Sequence, residues 1–180
     1  MELFLERGYE NATVADIAER AGLTERTFFR HYADKREVLF AGASELQELL
    51  VSKVVEAPAE MAPVQAIVEA LVDVAAIVFE PIREFAVQRQ ALITGNTELR
   101  ERELIKLATL GSAVAEALRG RGVSESAASL AAEAGIAIFK IAFERWTGDS
   151  VTQPLAKYIR EASDELALLT TTSANGETDD

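Results

Sequence analysis

GYENATVADIAERAGLTERTFFRHYADKREVL, residues 8–39, is punctuated like two short helices joined by a glycine turn. Thr13 is placed to cap the first, with Asp16 three residues on to complete a capping box, and the helix runs to Ala21. Gly22 turns the chain, and Thr24 caps a second helix that continues to His31 or Tyr32. Ile17, Ala18, Ala21, Leu23, Phe28 and Tyr32 would interlock the pair, with Ala18 small where the helices cross and Leu23 plugging the turn. This is the layout of a helix-turn-helix, whose second helix fits the roughly 12 Å wide major groove of a duplex. The outward positions of that helix are Thr24, Glu25, Arg26, Thr27, Arg30 and His31, hydrogen-bonding and mostly cationic.

Outward from this stretch, the whole chain is patterned at the helical period, and no run shows strand alternation. Glu2–Arg7 forms a short helix stopped by Gly8. Asp34, with Glu37 three residues later, is a second capping box opening one long helix from Lys35 to about Glu56. Pro58 and Pro63 bracket a linker. Pro63 starts a helix to Glu80, and Pro81 breaks it and begins another that stops at Gly95. Thr97 caps a segment to Arg119 that ends at Gly120-Arg121-Gly122, and Ser124 starts an alanine-rich helix to about Thr147. Pro154 opens the last, in phase through Leu169, and the polar, acidic tail from Thr170 reads as disordered. The expectation is an all-α protein of about nine helices: a three-helix head over residues 1–45, a helical body over 46–169 and a tail over 170–180.

Composition narrows the functions. With 180 residues, 49% apolar and 27% charged, the chain has the balance of a soluble globular protein. No apolar run approaches a membrane span, since even VEALVDVAAIVF is interrupted by Asp73, so no membrane partner is expected. The start, MELFLERGYE, lacks the layout of a signal peptide, and cysteine is absent; a cytoplasmic address is the simplest reading. One histidine, no cysteine, no metal-ligand spacing and no phosphate-cradling glycine loop leave little for an enzyme, a metal site or a cofactor. The net charge of −12 opposes wholesale binding to a polyanion. It is unevenly spread: residues 1–40 carry six cations against eight acids, and the remaining 140 carry twelve against twenty-two. A nearly neutral front on an acidic body suits a protein that meets DNA through one small surface.

The spaced constellation Gly8-Tyr9, Thr13-Val14, Ile17-Ala18, Ala21-Gly22, Thr27, His31-Tyr32 and Lys35 closely resembles the head of the TetR (tetracycline-repressor) family. The resemblance covers about the first forty residues. It implies a homodimer that sets two recognition helices into successive major grooves of a near-palindromic operator, roughly 34–36 Å apart. Arg26 and Thr27 are then the candidates for base edges, arginine suiting guanine and the threonine methyl thymine. Thr13, Thr24, His31 and Lys35 are candidates for phosphates, although Thr13 and Thr24 serve equally as helix caps. Arg30 reads as a flank or phosphate contact. Phe29 stands where the family usually has tyrosine, which removes one phenolic phosphate bond and leaves apolar contact with the sugar-phosphate backbone. The family's first helix also normally begins earlier, often behind a basic arm, whereas Met1 leaves about two turns here.

For the body, the resemblance implies a dimerisation domain enclosing an inducer pocket, and a regulator, commonly a repressor, released from its operator when a small apolar effector binds. SLAAEAGIAIFKIAFERW is apolar nearly all round, and with the helix over 154–169 it suits half of an intersubunit four-helix bundle; covering the monomer core would demand the same pattern. Phe79, Phe85, Arg89, Leu92, Phe139 and Phe143 are the candidate pocket residues, although an aromatic stripe at helical spacing is more often simply core. The segment from about Thr97 to Trp146 resembles a subgroup of actinobacterial regulators linked to acyl-CoA-like ligands, which implies an effector of that kind. The competing class is a helical protein-interaction module that has lost specific DNA binding.

Overall fold

The computed structural model describes residues 1–151 and 153–171. Among them every regular element is helical: α1 Glu2–Arg7, α2 Val14–Arg20, α3 Glu25–His31, α4 Lys35–Leu39, α5 Ala43–Glu56, α6 Pro63–Val74, a π turn Ala75–Phe79, a 3₁₀ turn Glu80–Ile82, α7 Arg83–Gly95, α8 Thr97–Gly120, α9 Glu125–Gly148 and α10 Leu155–Thr171. The all-α expectation holds. The chain forms two compact units, the first from Met1–Ser44 with Glu84–Lys106, the second from Glu45–Arg83 with Leu107 onward.

Five features differ from the sequence reading. The long helix expected over Lys35–Glu56 is broken: α4 ends at Leu39 and α5 starts at Ala43, with Gly42 at φ +84°. Leu39 and Phe40 are both buried in one cluster with Leu3, Phe4, Tyr9, Ala12, Ile93 and Leu99. Adjacent residues of an unbroken helix point about 100° apart, and a left-handed glycine resolves that conflict. The Asp34 box is incomplete, because Asp34 accepts from the Arg36 backbone N–H at 2.8 Å while the Glu37 carboxylate pairs with Arg102 and Lys106. Asn96 rather than Thr97 caps α8, its Oδ1 accepting from the Leu99 N–H at 3.0 Å.

The fourth difference lies at Pro81. The helix expected to reach Glu80 loses its α pattern at Val74 and passes through the π and 3₁₀ turns before α7. Proline has no N–H to donate and its ring collides with the carbonyl four residues back, here that of Ile77, so a regular ladder cannot run through. At the other end α10 continues through Thr171, with the Thr170 and Thr171 hydroxyls donating to Ala167 O. The remainder of the tail expected to be disordered, residues 172–180, lies outside the described residues.

The second unit is built around α6, whose Ala66, Ile67, Val68, Ala70, Leu71 and Val74 are buried and which packs against α9 and α10. The α9 helix is long and apolar enough, by length and composition, to cross a membrane, contrary to the reading that no run approaches that size. Its Ile138, Ala142 and Trp146 are nevertheless buried, as in the core helix of a globular domain. It packs tightly on α6 at Gly135, where an added Cβ would meet Ile67 Cγ2 at 2.5 Å. Gly135→Ala is therefore expected to force Ile67 out of place and to lower stability by about 1–3 kcal/mol in urea unfolding, and the loss in the double variant with Ile67→Ala is expected to be smaller than the sum of the two single losses. Additive losses in the double variant would show that the two residues are not in contact.

Candidate nucleic-acid interface

The capping expected for the head is present. Thr13 Oγ accepts from the Asp16 N–H at 3.1 Å and the Asp16 carboxylate accepts from the Thr13 N–H at 3.0 Å, so the box closes in both directions. The Asp16 carboxyl is held below its usual range by the Thr13 hydroxyl and backbone N–H, with Arg7 adding to them. Gly22 takes φ +67°, a left-handed conformation that side chains resist, and Leu23 N–H returns to Ala18 O at 2.8 Å to close the turn. Thr24 then caps α3 by accepting from the Thr27 N–H at 3.2 Å, and its hydroxyl lies 3.0 Å from that of Thr27.

One residue anchors α3. Phe28 is 2% exposed and stacks at 5.5 Å and 5.4 Å on the rings of Phe29 and Tyr32. Thr24, Arg26, Phe29, Arg30 and His31 all stand in solvent and Thr27 is half-buried, so six of the eight residues proposed for DNA share α3 and its cap. Thr13 joins the exposed set from the start of α2.

The electrostatics of the head were not legible in its charge count. Arg7 is paired with Asp16 at 2.8 Å, Arg20 with Glu6 at 2.8 Å and Glu2 at 3.5 Å, and Arg36 with Asp34. These pairs hold the Glu6 and Asp34 carboxyls below their usual range, through Arg20 and Arg36 respectively. The remaining two arginines are both on α3: Arg26 and Arg30 have no carboxylate partner among the described residues, and Arg30 reaches only the neighbouring His31 ring at 3.5 Å. The Arg20–Glu6 pair spans fourteen residues between two helices, so no local spacing could have signalled it.

Lys35 stands apart from the other candidates. It is half-buried, and its ammonium donates to Tyr9 O at 2.9 Å, Ala12 O at 3.2 Å and Glu10 O at 3.3 Å while lying 4.4 Å above the Tyr9 ring. All three of its protons thus hold the loop between α1 and α2. Tyr9 itself is buried, its phenol pushed up to about 12 by desolvation, with Glu98 adding to the effect.

The pocket candidates fall into two sets. Phe79, Phe139 and Phe143 meet in the second unit, with ring centroids 5.3–5.6 Å apart. Phe85, Arg89 and Leu92 lie on α7 in the first unit. Leu92 packs on the buried cluster of that unit, and Phe85 is 41% exposed. Arg89 donates to Leu39 O at 2.7 Å, sits 3.6 Å from Glu103 and lies 4.8 Å over the Phe40 ring, so its guanidinium serves α4. Burial holds it below arginine's usual range, with Glu103 pulling it back.

A short glycine-turned helix pair that exposes two arginines without a carboxylate partner among the described residues, on an all-helical scaffold, defines a helix-turn-helix protein. Residues 1–41 match the family of bacterial regulatory proteins of the tetR type, and residues 61–169 match the MftR C-terminal domain family. The chain belongs to the TetR family of transcriptional regulators, which are not enzymes, and its C-terminal domain is of the MftR type. It is similar to the HTH-type transcriptional regulator TcmR of Streptomyces glaucescens, 44% identical over 66 residues, which are 37% of this chain and 29% of that protein's length. Its fold is similar to that of Thermus thermophilus FadR, a TetR-family repressor solved with lauroyl-CoA, at TM-score 0.52 and 24% identity over 100% of this chain and 94% of that one. A TetR-family regulator from Mesorhizobium loti MAFF303099 aligns at TM-score 0.53 and 18% identity, over 94% and 91% of the two chains.

Replacing Lys35 by Met removes three charge-assisted hydrogen bonds. It is expected to cost about 2 kcal/mol and to accelerate amide exchange through residues 8–13 in the DNA-free protein. Unchanged exchange there, with DNA binding lost, would make Lys35 a phosphate contact alone.

Proposed function

We propose that the chain is a ligand-responsive, sequence-specific DNA-binding regulator, acting as a homodimeric repressor that leaves a near-palindromic operator when a small apolar effector occupies its body. The observation that carries the reading is the solvent-facing side of α3, where the only two head arginines without a carboxylate partner among the described residues stand beside Thr24, Thr27 and His31. A helix that served packing alone would not need Arg7, Arg20 and Arg36 paired with acids, Lys35 held by carbonyls, and these two left open. Arg26, in the first turn, reads a base edge together with Thr27. Thr13, Thr24, Arg30 and His31 meet phosphates, and Phe29, 54% exposed, lies against the sugar-phosphate backbone. Lys35 contributes by fixing the loop that positions α2.

The partner is a second copy of the chain. On α9 the residues Ala127, Leu130, Ala134, Ala137 and Ile141 alternate at three- and four-residue steps, and all are exposed except the half-buried Ala134. Leu130 is 70% and Ile141 44% exposed. A seam of small and branched apolar residues at this spacing is the kind that receives another helix at close range. The effector is an apolar molecule, and an acyl-CoA-like ligand fits both the resemblance of the body and the lauroyl-CoA bound by the Thermus relative of similar fold.

Two measurements test this. Selection from a random duplex pool should return a near-palindrome bound with an affinity that falls steeply with salt. Arg26→Ala should cost about 1–3 kcal/mol on that duplex and little on random DNA; equal losses on both would remove Arg26 from base reading. Leu130→Glu should leave helicity unchanged and give a monomer in sedimentation. A dimer of parental stability would put the interface elsewhere.

A further inference from the structure

The π turn at Ala75–Phe79 has a consequence for chemistry as well as for the path of the chain. It carries Phe79 to 5.6 Å from Phe139 and 5.3 Å from Phe143, and Phe143 continues to Trp146 at 5.5 Å, so four rings form one contiguous cluster in the second unit. Such turns recur at ligand sites because they re-aim side chains at the expense of regular hydrogen bonding. Arg83, just beyond the 3₁₀ turn, lies at the Trp146 end of this cluster. Its guanidinium carbon lies 5.6 Å from the Trp146 ring, and Nη2 donates to Trp146 O at 3.2 Å and Asp149 O at 3.0 Å.

Two donors at this end are left over. Arg83 Nε and Trp146 Nε1 are buried and meet no acceptor among the described residues, and Trp146 is wholly buried. Nearby acceptors are engaged: the Asp149 carboxylate takes the Tyr158 hydroxyl at 2.5 Å and the Val151 N–H at 2.8 Å, and the Glu80 carboxylate takes the Leu155 N–H. A buried donor without an acceptor is costly in a native fold, and two on touching side chains point to an acceptor that comes from outside the chain.

We propose that Arg83 and Trp146 are the polar end of the effector site and Phe79, Phe139 and Phe143 its apolar wall. The ligand is a mainly apolar molecule ending in a carbonyl or carboxylate oxygen. The inference rests on the effector-responsive reading above and names the chemistry of its ligand. Both unpartnered groups are donors, so the ligand must accept. The guanidinium already lies against two carbonyls at the C-terminal end of α9, where the helix dipole is negative, so one oxygen, neutral or anionic, suits it better than a polyphosphate.

Trp146 is the only tryptophan, so its emission reports this site alone. The full-length protein would be titrated with decanoate, with 4-phenylbutanoate and with n-butylbenzene, which has no acceptor. Decanoate or 4-phenylbutanoate should shift Trp146 emission saturably, and Arg83→Met should weaken that binding at least fivefold without weakening n-butylbenzene. Absence of a saturable response to both acids, or a smaller change in Arg83→Met, overturns the proposal. If Arg83→Met fails to fold by circular dichroism, Phe79→Ala takes its place, and an affinity for the acids reduced less than fivefold overturns it equally. A parallel band shift on the selected duplex separates the two readings. Sequence-preferring DNA binding with a silent Trp146 removes this site alone, and a responsive Trp146 without DNA binding removes the regulator reading alone.

Discussion

The head depends on how little of α3 is buried. Seven residues are too few for a helix to persist in water on its own propensity, so α3 exists because Phe28 is buried where it packs with α2. Ala18, 2% exposed and the one buried residue of α2, keeps the crossing close, and the left-handed Gly22 sets its angle. With a single anchor on one side, the rest of the helix faces solvent. That division makes α3 available to a groove, and it also makes the helix dependent on its surroundings.

Charge follows the same division. A head with six cations and eight acids looks unpromising for DNA until the pairs are drawn. Arg7, Arg20 and Arg36 neutralise acids around the rim, Lys35 is spent on loop carbonyls, and the open positive charge is concentrated on α3. Exposed pairs of this kind contribute little to stability. Their effect is on the field: they remove competing positive surface, and the acidic remainder of the chain discourages any other approach to a polyanion.

The elements that rest on local chemistry were legible in the sequence. Thr13 with Asp16, Gly22 and Thr24 each announce themselves within four residues, and the caps and the turn form as read, whereas Leu23, read as plugging the turn, is 43% exposed. What the sequence hid is tertiary. Nothing near Lys35 shows that three carbonyls of a loop more than twenty residues upstream converge on it, and nothing near Asp34 shows that Glu37 has partners on α8. The break at Gly42 was visible as a glycine, but choosing it over a continuous helix required knowing that Leu39 and Phe40 bury together. The candidate pocket was legible only as aromatic residues at helical spacing. Burial then separated Phe79, Phe139 and Phe143, which touch, from Arg89, which holds α4, while the donors of Arg83 and Trp146 gave no signal in the sequence.

The same tertiary ties bear on how the proposed release would work. Leu39 O accepts from Arg89 on α7, and Glu37 pairs with Arg102 and Lys106 on α8, so the helix that follows the recognition motif is held by residues far downstream. The α8 helix then continues from Thr97 to Gly120 as one element, belonging to the head's unit through Lys106 and to the other unit from Leu107. In the proposed release, linkage requires that DNA weaken the effector by the same factor by which the effector weakens DNA. That requires only that the ligand bind the two states unequally, because a ligand indifferent to them shifts nothing however tightly it is held.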